Sequence, residues 1–230
     1  MPTNLIGLEY IVGQESAVAR LRAILKTGQS RAILMHGATG LGKSLAAISC
    51  AKATGCDIVN NEFGGYLCVA AGEQTAEAVR RLDGFMAQIP FTGSGWRCIQ
   101  VDEADQMNGQ CEAVWLGLLE KLPTRVLVIF TTNNLHKLSQ RFRDRCSVIA
   151  FDGKADLYSR SAIEAVAYRE WEAMAPGRRM LADAMQRIMA TAIGGDGLVS
   201  YRRAARAAEE EALLAISEPV KPDLSWCKGA

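Results

Sequence analysis

Apolar and polar positions follow two different patterns along the chain, and the change falls close to residue 152. Before it, short apolar runs are separated by stretches in which apolar residues recur every three or four positions, which is typical of strands alternating with amphipathic helices. We predict strands over residues 32–36, 57–60, 98–101, 125–131 and 147–151. We predict helices over residues 14–26, from 43 onward, over 75–88, and from a cap at Asn108 to a stop at Pro123.

The segment over residues 125–131 (RVLVIFT) is apolar almost throughout, as is typical of a strand covered on both faces. Such strands alternating with helices predict an α/β fold, in which a parallel sheet is flanked by helices. Beyond Lys154 only helical patterns remain, over residues 156–174, 178–192 and 200–216. We therefore predict an α/β domain over residues 1–152, a small all-helical domain over 153–217 and a tail over 218–230.

Composition narrows the class of protein. Charged residues make up 22% of the 230 residues and the net charge is +1, which excludes a strongly basic surface over the whole protein. A nucleic-acid partner therefore requires a local basic patch, or one that several subunits build together. No apolar run approaches the ~20 residues of a membrane helix, and the start lacks the pattern of a signal peptide, so we expect a cytoplasmic protein without membrane contact. The seven cysteines form no CxxC pair, which argues against a disulfide framework and a zinc ribbon.

Residues 37–44 read GATGLGKS and match the phosphate-binding pattern G-x-x-x-x-G-K-[ST]. In this pattern the glycines let backbone N–H groups close on a β-phosphate, Lys43 reaches the β and γ oxygens, and the Ser44 hydroxyl binds Mg²⁺. The segment follows a predicted strand and precedes a predicted helix, as a phosphate-binding loop requires. The alternative, a glycine-rich turn that matches the pattern by accident, would not need these neighbours. We therefore predict a nucleotide site of the P-loop class, formed by Gly37, Ala38, Thr39, Gly40, Leu41, Gly42, Lys43 and Ser44.

Asp102 and Glu103 end the predicted strand over residues 98–101. A parallel sheet binds its ligand at the carboxyl ends of its strands, where Asp102 can hold Mg²⁺ and Glu103 can polarise the attacking water as general base. A solvated strand end is the alternative interpretation. The P-loop upstream favours the interpretation in which Asp102 and Glu103 act on the nucleotide.

The two motifs together, GATGLGKS followed by VDEAD, resemble the AAA+ ATPases, and within them the clamp-loader subunits of DNA replication. The similarity covers about residues 7–210 and predicts that the helical domain is the lid of an AAA+ module, with ATP and Mg²⁺ bound at the junction. Five further segments match the family in order: residues 11–14 (IVGQ), 78–90, Thr131-Thr132-Asn133, Asp144-Arg145-Cys146, and Gly195-Asp196 with Arg202-Arg203-Ala204.

The resemblance implies roles for single residues in the ATP site. Val12 and Gly13 belong to the segment that packs beside the adenine. Asn133 takes the sensor 1 position, where it orients the attacking water or senses the γ-phosphate; the alternative is a turn asparagine, since Asn134 follows. Arg202 takes the sensor 2 position and reaches the phosphates of its own subunit, with Arg203 as a rival.

Arg145 is the residue that the resemblance assigns to a neighbouring subunit. It would reach the γ-phosphate held by the next chain, an effect worth about 10³–10⁵ in rate in related phosphoryl-transfer enzymes. Arg141 and Arg143 compete for this role, and a solvated basic stretch is the alternative. The resemblance thus implies a homo- or hetero-oligomer of AAA+ subunits.

Arg80 and Arg81 lie on the predicted helix that faces DNA in clamp loaders, so they are the candidate contacts with a nucleic-acid backbone. A solvated face of an amphipathic helix explains them equally well. DNA, and a sliding clamp or other replication protein, are the partners that the resemblance implies.

Several departures from the family leave other functions open. Asp144 replaces the usual serine, and the cysteine zinc module of bacterial clamp loaders is not found in these residues. We also expect no collar domain, for which the 230 residues leave no room. Either AAA+ contacts alone hold the assembly or the function is not clamp loading. The alternatives are a helicase loader or branch-migration-type ATPase, a protein-remodelling switch without a nucleic-acid role, and a structural subunit that does not hydrolyse ATP.

Overall fold

The computed structural model describes residues 6–217, apart from the side chains of residues 157 and 158. The described residues form two compact units, one ending at Lys154 and the other beginning at Ala155. The tail predicted over residues 218–230 lies outside the described residues. Within residues 6–217, no helix combines the length and apolar character needed to span a membrane.

A five-stranded parallel sheet forms the centre of the first unit, with the strand order β2-β3-β4-β1-β5. Every residue of β3 and β4 is buried, as expected for apolar strands covered on both faces. The strands are β1 (Arg31–His36), β2 (Tyr66–Val69), β3 (Arg97–Val101), β4 (Val126–Thr132) and β5 (Ser147–Ala150).

In the described part of this unit, five α-helices accompany the sheet, and polar side chains fix where three of them begin. The Thr75, Asn108 and Ser139 side chains accept hydrogen bonds from backbone N–H groups of the first turns of α3, α4 and α5. The cap predicted at Asn108 is therefore confirmed. The helices are α1 (Glu15–Lys26), α2 (Lys43–Ala53), α3 (Ala76–Ala87), α4 (Gly109–Leu119) and α5 (Gln140–Asp144).

Three aromatic side chains connect α4, β4 and α5 within the core. The ring centroids of Trp115 and Phe130 are 5.0 Å apart, and those of Phe130 and Phe142 are 4.9 Å apart, both in edge-to-face geometry. All three side chains are fully buried. This arrangement fixes the short helix α5 to the sheet.

The strand predicted over residues 57–60 is wrong. The Asp57 carboxylate accepts hydrogen bonds from the backbone N–H groups of Val59 (3.1 Å) and Asn60 (3.4 Å), which closes a turn in place of a strand. The side-chain hydrogen bond from Asn60, the largest cause, lowers the pKa of Asp57. The second strand is β2, whose Val69 pairs with Val101 and so brings the loop after β2 beside Asp102.

Within residues 155–217, the second unit contains the helices α6 (Leu157–Met174), α7 (Ala182–Ala192) and α8 (Tyr201–Ser217). The helix predicted from residue 178 begins at Ala182, so its predicted start is wrong. The Arg178 carbonyl accepts a hydrogen bond from the Trp171 indole at 2.7 Å, and this contact holds the segment outside the helix. The predicted fold class, a parallel sheet flanked by helices with an all-helical second unit, is confirmed.

Candidate functional site

The carboxyl ends of the adjacent strands β3, β4 and β1 bring most of the predicted site residues to one edge of the sheet. The P-loop follows β1, Asp102 and Glu103 follow β3, and Asn133 follows β4. Parallel sheets bind ligands at this edge because loops from several strands meet there.

The backbone of the P-loop depends on its glycines. Gly37 and Gly42 have φ angles of 146° and 93°, which L-residues rarely adopt. A side chain at Gly37 would also clash with the carbonyl oxygen of Phe151. Helix α2 begins at Lys43, directly after the loop, so its first N–H groups are available to an anion such as a phosphate.

The Lys43 ammonium joins the P-loop to the end of β4. Its Nζ donates hydrogen bonds to the carbonyl oxygens of Gly37 (2.7 Å) and Ala38 (2.8 Å) and to Asn133 Oδ1 (2.9 Å). Asn134, in contrast, accepts a hydrogen bond from the His136 N–H (3.2 Å) and caps a short turn. The two neighbouring asparagines therefore make different contacts, and the one at the predicted sensor position contacts the P-loop lysine.

His36 ends β1 immediately before the P-loop. Burial, followed by the charges of Lys43 and His136, lowers the pKa of its imidazole below the usual 6.5. The imidazole is therefore neutral at pH 7, and Lys43 provides the positive charge at this end of β1.

Asp102 and Ser44, the two predicted Mg²⁺ ligands, are hydrogen-bonded to each other. Ser44 Oγ donates to Asp102 Oδ1 at 3.1 Å, and Thr131 Oγ1 donates to the same oxygen at 2.8 Å. Hydroxyl and carboxylate oxygens are the hard ligands that Mg²⁺ prefers, and Mg²⁺ is commonly bound by one or two protein groups together with substrate phosphates. The donor set next to the P-loop therefore fits this ion.

A buried pair that the motif analysis missed holds the second oxygen of Asp102. Gln100 Nε2 donates to Asp102 Oδ2 at 3.0 Å, and Tyr66 OH donates to Gln100 Oε1 at 2.9 Å. Burial, the largest cause, raises the pKa of Tyr66, so its hydroxyl remains a donor. The signal in the sequence is a glutamine within the otherwise apolar segment 98–101, because a buried amide requires partners.

Glu103 adopts a left-handed backbone with φ 54°, a conformation that costs a non-glycine residue about 1–2 kcal/mol. Thr131 Oγ1 accepts a hydrogen bond from the Glu103 N–H (3.2 Å), and the Glu103 carboxylate accepts one from Gln106. The buried Gln74 donates to the carbonyl oxygens of Asp102 and Glu103. Polar neighbours thus hold a strained residue. No local pattern in the sequence marks Gln74, because it acts from a loop between β2 and α3.

The segment containing Val12 and Gly13 is tied to the chain after β5. Gln14 Nε2 donates to the Asp152 carbonyl oxygen (2.6 Å), and the Asp152 N–H donates to Gln14 Oε1 (3.0 Å). Gly153 lies next to Leu41 and Ala38 of the P-loop. The predicted adenine segment is therefore connected to the P-loop through residues 152–153.

The candidate trans arginine lies outside this cluster. Arg145 forms the C-cap of α5, and its guanidinium makes an ion pair with Glu120, which follows α4. Of its rivals, Arg141 is exposed and Arg143 is half-buried, with its Nε atom inaccessible.

Arg80 and Arg81 lie on the exposed face of α3. Arg81 pairs with Glu77 one turn earlier at 2.6 Å, and 78% of its side chain is exposed. Within residues 6–217, no carboxylate forms an ion pair with Arg80. The face therefore carries both signs of charge, and Arg80 is its uncompensated cation.

Arg202 and Arg203 belong to the second unit and differ in their contacts. Arg203 Nη2 donates to the carbonyl oxygens of Ala192 (3.1 Å) and Leu198 (3.0 Å), so this side chain stabilises the connection before α8. Arg202 is exposed at the start of α8. This difference favours Arg202 over Arg203 as the residue available to a ligand.

Comparison with protein families gives one match that spans more than half of the chain. The family described as "ATPase family associated with various cellular activities (AAA)" matches residues 33–153. The matched region contains the P-loop, the Asp102-Glu103 pair, Asn133 and Arg145.

Curated relatives include small subunits of replication factor C. The small subunit from Methanosarcina mazei is 26% identical over 164 residues, which cover 70% of this chain and 48% of that protein. The small subunit from Haloarcula marismortui is 26% identical over 220 residues, which cover 94% of this chain and 66% of that protein. The chain thus spans about half the length of the first of these relatives.

Solved structures with the same fold include a variant of RuvB from Thermotoga maritima. It matches with a TM-score of 0.70 and 14% identity, covering 96% of this chain and 70% of that chain. At this identity the likeness concerns the fold alone. Together with the family match, the comparisons confirm the resemblance inferred from the motifs.

Proposed function

Because the chain belongs to the AAA family of ATPases, we propose that it binds ATP with Mg²⁺ at the carboxyl edge of its sheet and hydrolyses it. The observation that carries the proposal is the pair of contacts Lys43–Asn133 and Ser44–Asp102, which join the loops after β1, β3 and β4. These side chains are the ones that phosphoryl transfer requires in one place.

Each side chain has a role that follows from its chemistry. Lys43 holds the β and γ oxygens, while Ser44 and Asp102 hold the metal. Mg²⁺, when bound, neutralises charge on the phosphates. Glu103 accepts the proton of the attacking water as general base, and Asn133 orients that water.

The finer proposal is an oligomeric motor on DNA that resembles a sliding-clamp loader, with Arg145 acting on the ATP of the next subunit. Its support is the exposed position of Arg145 at the end of α5 and the relatives named as small and large subunits of replication factor C. Arg202 is the proposed contact of the second unit with the phosphates. A homo- or hetero-oligomer meets these requirements equally.

The test is the steady-state rate of ATP hydrolysis per subunit, measured against protein concentration with and without primed single-stranded DNA. We expect the rate to rise with concentration, because Arg145 acts in trans, and to rise again with DNA. Glu103→Gln should retain ATP binding and lose about 100-fold or more in turnover, the size of a lost general base. Glu62→Gln, at an exposed position outside the site, is the matched control.

Two results contradict different parts of the proposal. If hydrolysis is independent of both protein concentration and DNA, the ATPase activity stands but the clamp-loader-like role is contradicted. A protein-remodelling switch is then the favoured function. If the chain binds ATP but does not hydrolyse it under any of these conditions, the proposed ATPase activity is contradicted. The chain is then a structural subunit.

A further inference from the structure

The backbone of Arg145 is held in a fixed position. Phe142, three residues earlier, is fully buried against Phe130, and Ser139 at the start of α5 donates a hydrogen bond to Glu112 of α4. The Arg145 N–H donates to the Phe142 carbonyl oxygen at 3.1 Å and closes the helix. The freedom that remains at Arg145 is therefore that of its side chain.

An arginine side chain has several rotatable bonds and loses about 2 kcal/mol of rotamer entropy when it is fixed. Arg145 Nη2 donates to Glu120 Oε1, and the two side chains are 44% and 47% exposed. Glu120 directly follows α4, so the same helix holds both ends of α5, through Glu112 and through Glu120. The ion pair selects one direction for a side chain that is otherwise free to reorient.

The contact leaves most of the guanidinium available. An arginine has five N–H donors in one plane, and the contact with Glu120 uses the Nη2 end. A phosphate oxygen can therefore bind the remaining donors while the carboxylate stays in place. Glu120 is ionised at neutral pH, since the hydrogen bond from Arg145 and then its charge lower the pKa of the carboxyl.

Glu120 could either withhold Arg145 from the nucleotide or orient it, and the strength of the ion pair decides between these two roles. An exposed ion pair shifts a side-chain equilibrium by no more than about five-fold, which is too little to withhold an arginine from a triphosphate but enough to favour one orientation. We propose that Glu120 is a positioning residue that orients Arg145 toward the ATP of the neighbouring subunit. This inference rests on the proposed trans role of Arg145.

A mixing experiment with full-length chains tests the two proposals separately. A Lys43→Ala chain serves as donor, since it offers Arg145 without using ATP, and an Arg145→Ala chain serves as acceptor, since it uses ATP without offering the arginine. Each is expected to be nearly inactive alone, and their equimolar mixture, with primed DNA, is expected to recover hydrolysis. Failure of the mixture to recover removes the trans action of Arg145 between copies of this chain, whatever Glu120 does.

Glu120→Gln is then introduced into the donor or into the acceptor. In the donor we expect kcat to fall about three- to five-fold with the KM for ATP unchanged, and Glu120→Asp, which keeps the carboxylate, to restore at least half of the rate. In the acceptor, residue 145 is alanine, so Glu120 has no arginine to orient. We therefore expect the same substitution in the acceptor to leave the rate unchanged. Glu62→Gln in the donor is the control for an exposed glutamate outside the site.

Three results overturn the proposal. A rate that rises when the donor carries Glu120→Gln makes Glu120 a latch that withholds Arg145. An equal loss in donor and acceptor makes it a structural residue. A recovered mixture whose donor is insensitive to Glu120→Gln leaves Arg145 acting in trans without help from Glu120.

Discussion

At the scale of single residues, the least expected feature is the amide of Gln100 within a fully buried strand. A buried amide without partners is costly, but Gln100 is satisfied at both ends, by Tyr66 and by Asp102. Since Asp102 Oδ1 already accepts from Ser44 and Thr131, Gln100 fixes the other oxygen and hence the rotation of the carboxylate.

We predict that Gln100→Leu lowers the affinity for the Mg²⁺ that supports ATP hydrolysis. Loss of a residue that orients a metal ligand typically costs 10- to 100-fold in metal affinity, so the Mg²⁺ concentration for half-maximal ATP hydrolysis should rise about 10-fold. Tyr66→Phe, which keeps Gln100 and removes its donor, should give a smaller rise. The measurement is hydrolysis against Mg²⁺ concentration at saturating ATP. An unchanged Mg²⁺ response in Gln100→Leu would show that Asp102 needs no such support.

The same residues show how far the sequence predicts the site. Lys43, Ser44 and Asp102 were identified because their chemistry depends on residue type and local spacing, which one sequence contains. Gln100 and Gln74 act through contacts across strands and loops, and such contacts are known only once the order of the strands is known. Glu120 was missed for the same reason, since 25 residues separate it from Arg145.

At the scale of elements, the periodicity of apolar residues predicted most helices and strands. The exception is β2, which was missed in favour of residues 57–60. Residues 57–60 (DIVN) and β2 (YLCV) are equally short, and both contain apolar residues. The Asp57 carboxylate decides between them, because it accepts two backbone N–H groups that a strand would have used in its ladder. Short runs that begin with Asp are therefore weak predictors of strands.

The helix α5, which precedes the proposed trans arginine, is only five residues long, and its position depends on the buried ring of Phe142. We predict that Phe142→Ala destabilises the protein by about 3–5 kcal/mol, the usual cost of emptying a buried phenylalanine site. Phe91→Ala, at a ring that is 87% exposed, should change stability by no more than about 0.5 kcal/mol and is the matched control.

Urea unfolding of the two phenylalanine variants provides the measurement. The ATPase rate under conditions where Phe142→Ala remains folded should also fall, since Arg145 follows the ring by three residues. Equal stability of the two variants would mean that α5 is held by its polar contacts to Glu112 and Glu120, without a large share from the aromatic cluster.

At the scale of the whole molecule, the even charge balance limits how DNA can be bound. The net charge is +1, so no general attraction draws DNA to the chain. The basic residues on α3 are Arg80 and the partly compensated Arg81. The DNA contact proposed for these two arginines therefore requires several subunits that repeat them along a basic path, as in single-strand-binding channels.

We predict that replacing both Arg80 and Arg81 with alanine reduces the DNA-stimulated part of ATP hydrolysis and weakens DNA binding for all sequences alike. Each lost phosphate contact should lower the slope of log affinity against log salt by about 1 per subunit. Arg206→Ala is the matched control, because Arg206 is also exposed and pairs one turn away with Glu210 at 3.2 Å. The measurement is DNA binding and DNA-stimulated hydrolysis over a salt series. If the double variant matches Arg206→Ala, the face of α3 is a solvated helix surface, and any DNA-stimulated hydrolysis that remains depends on other residues.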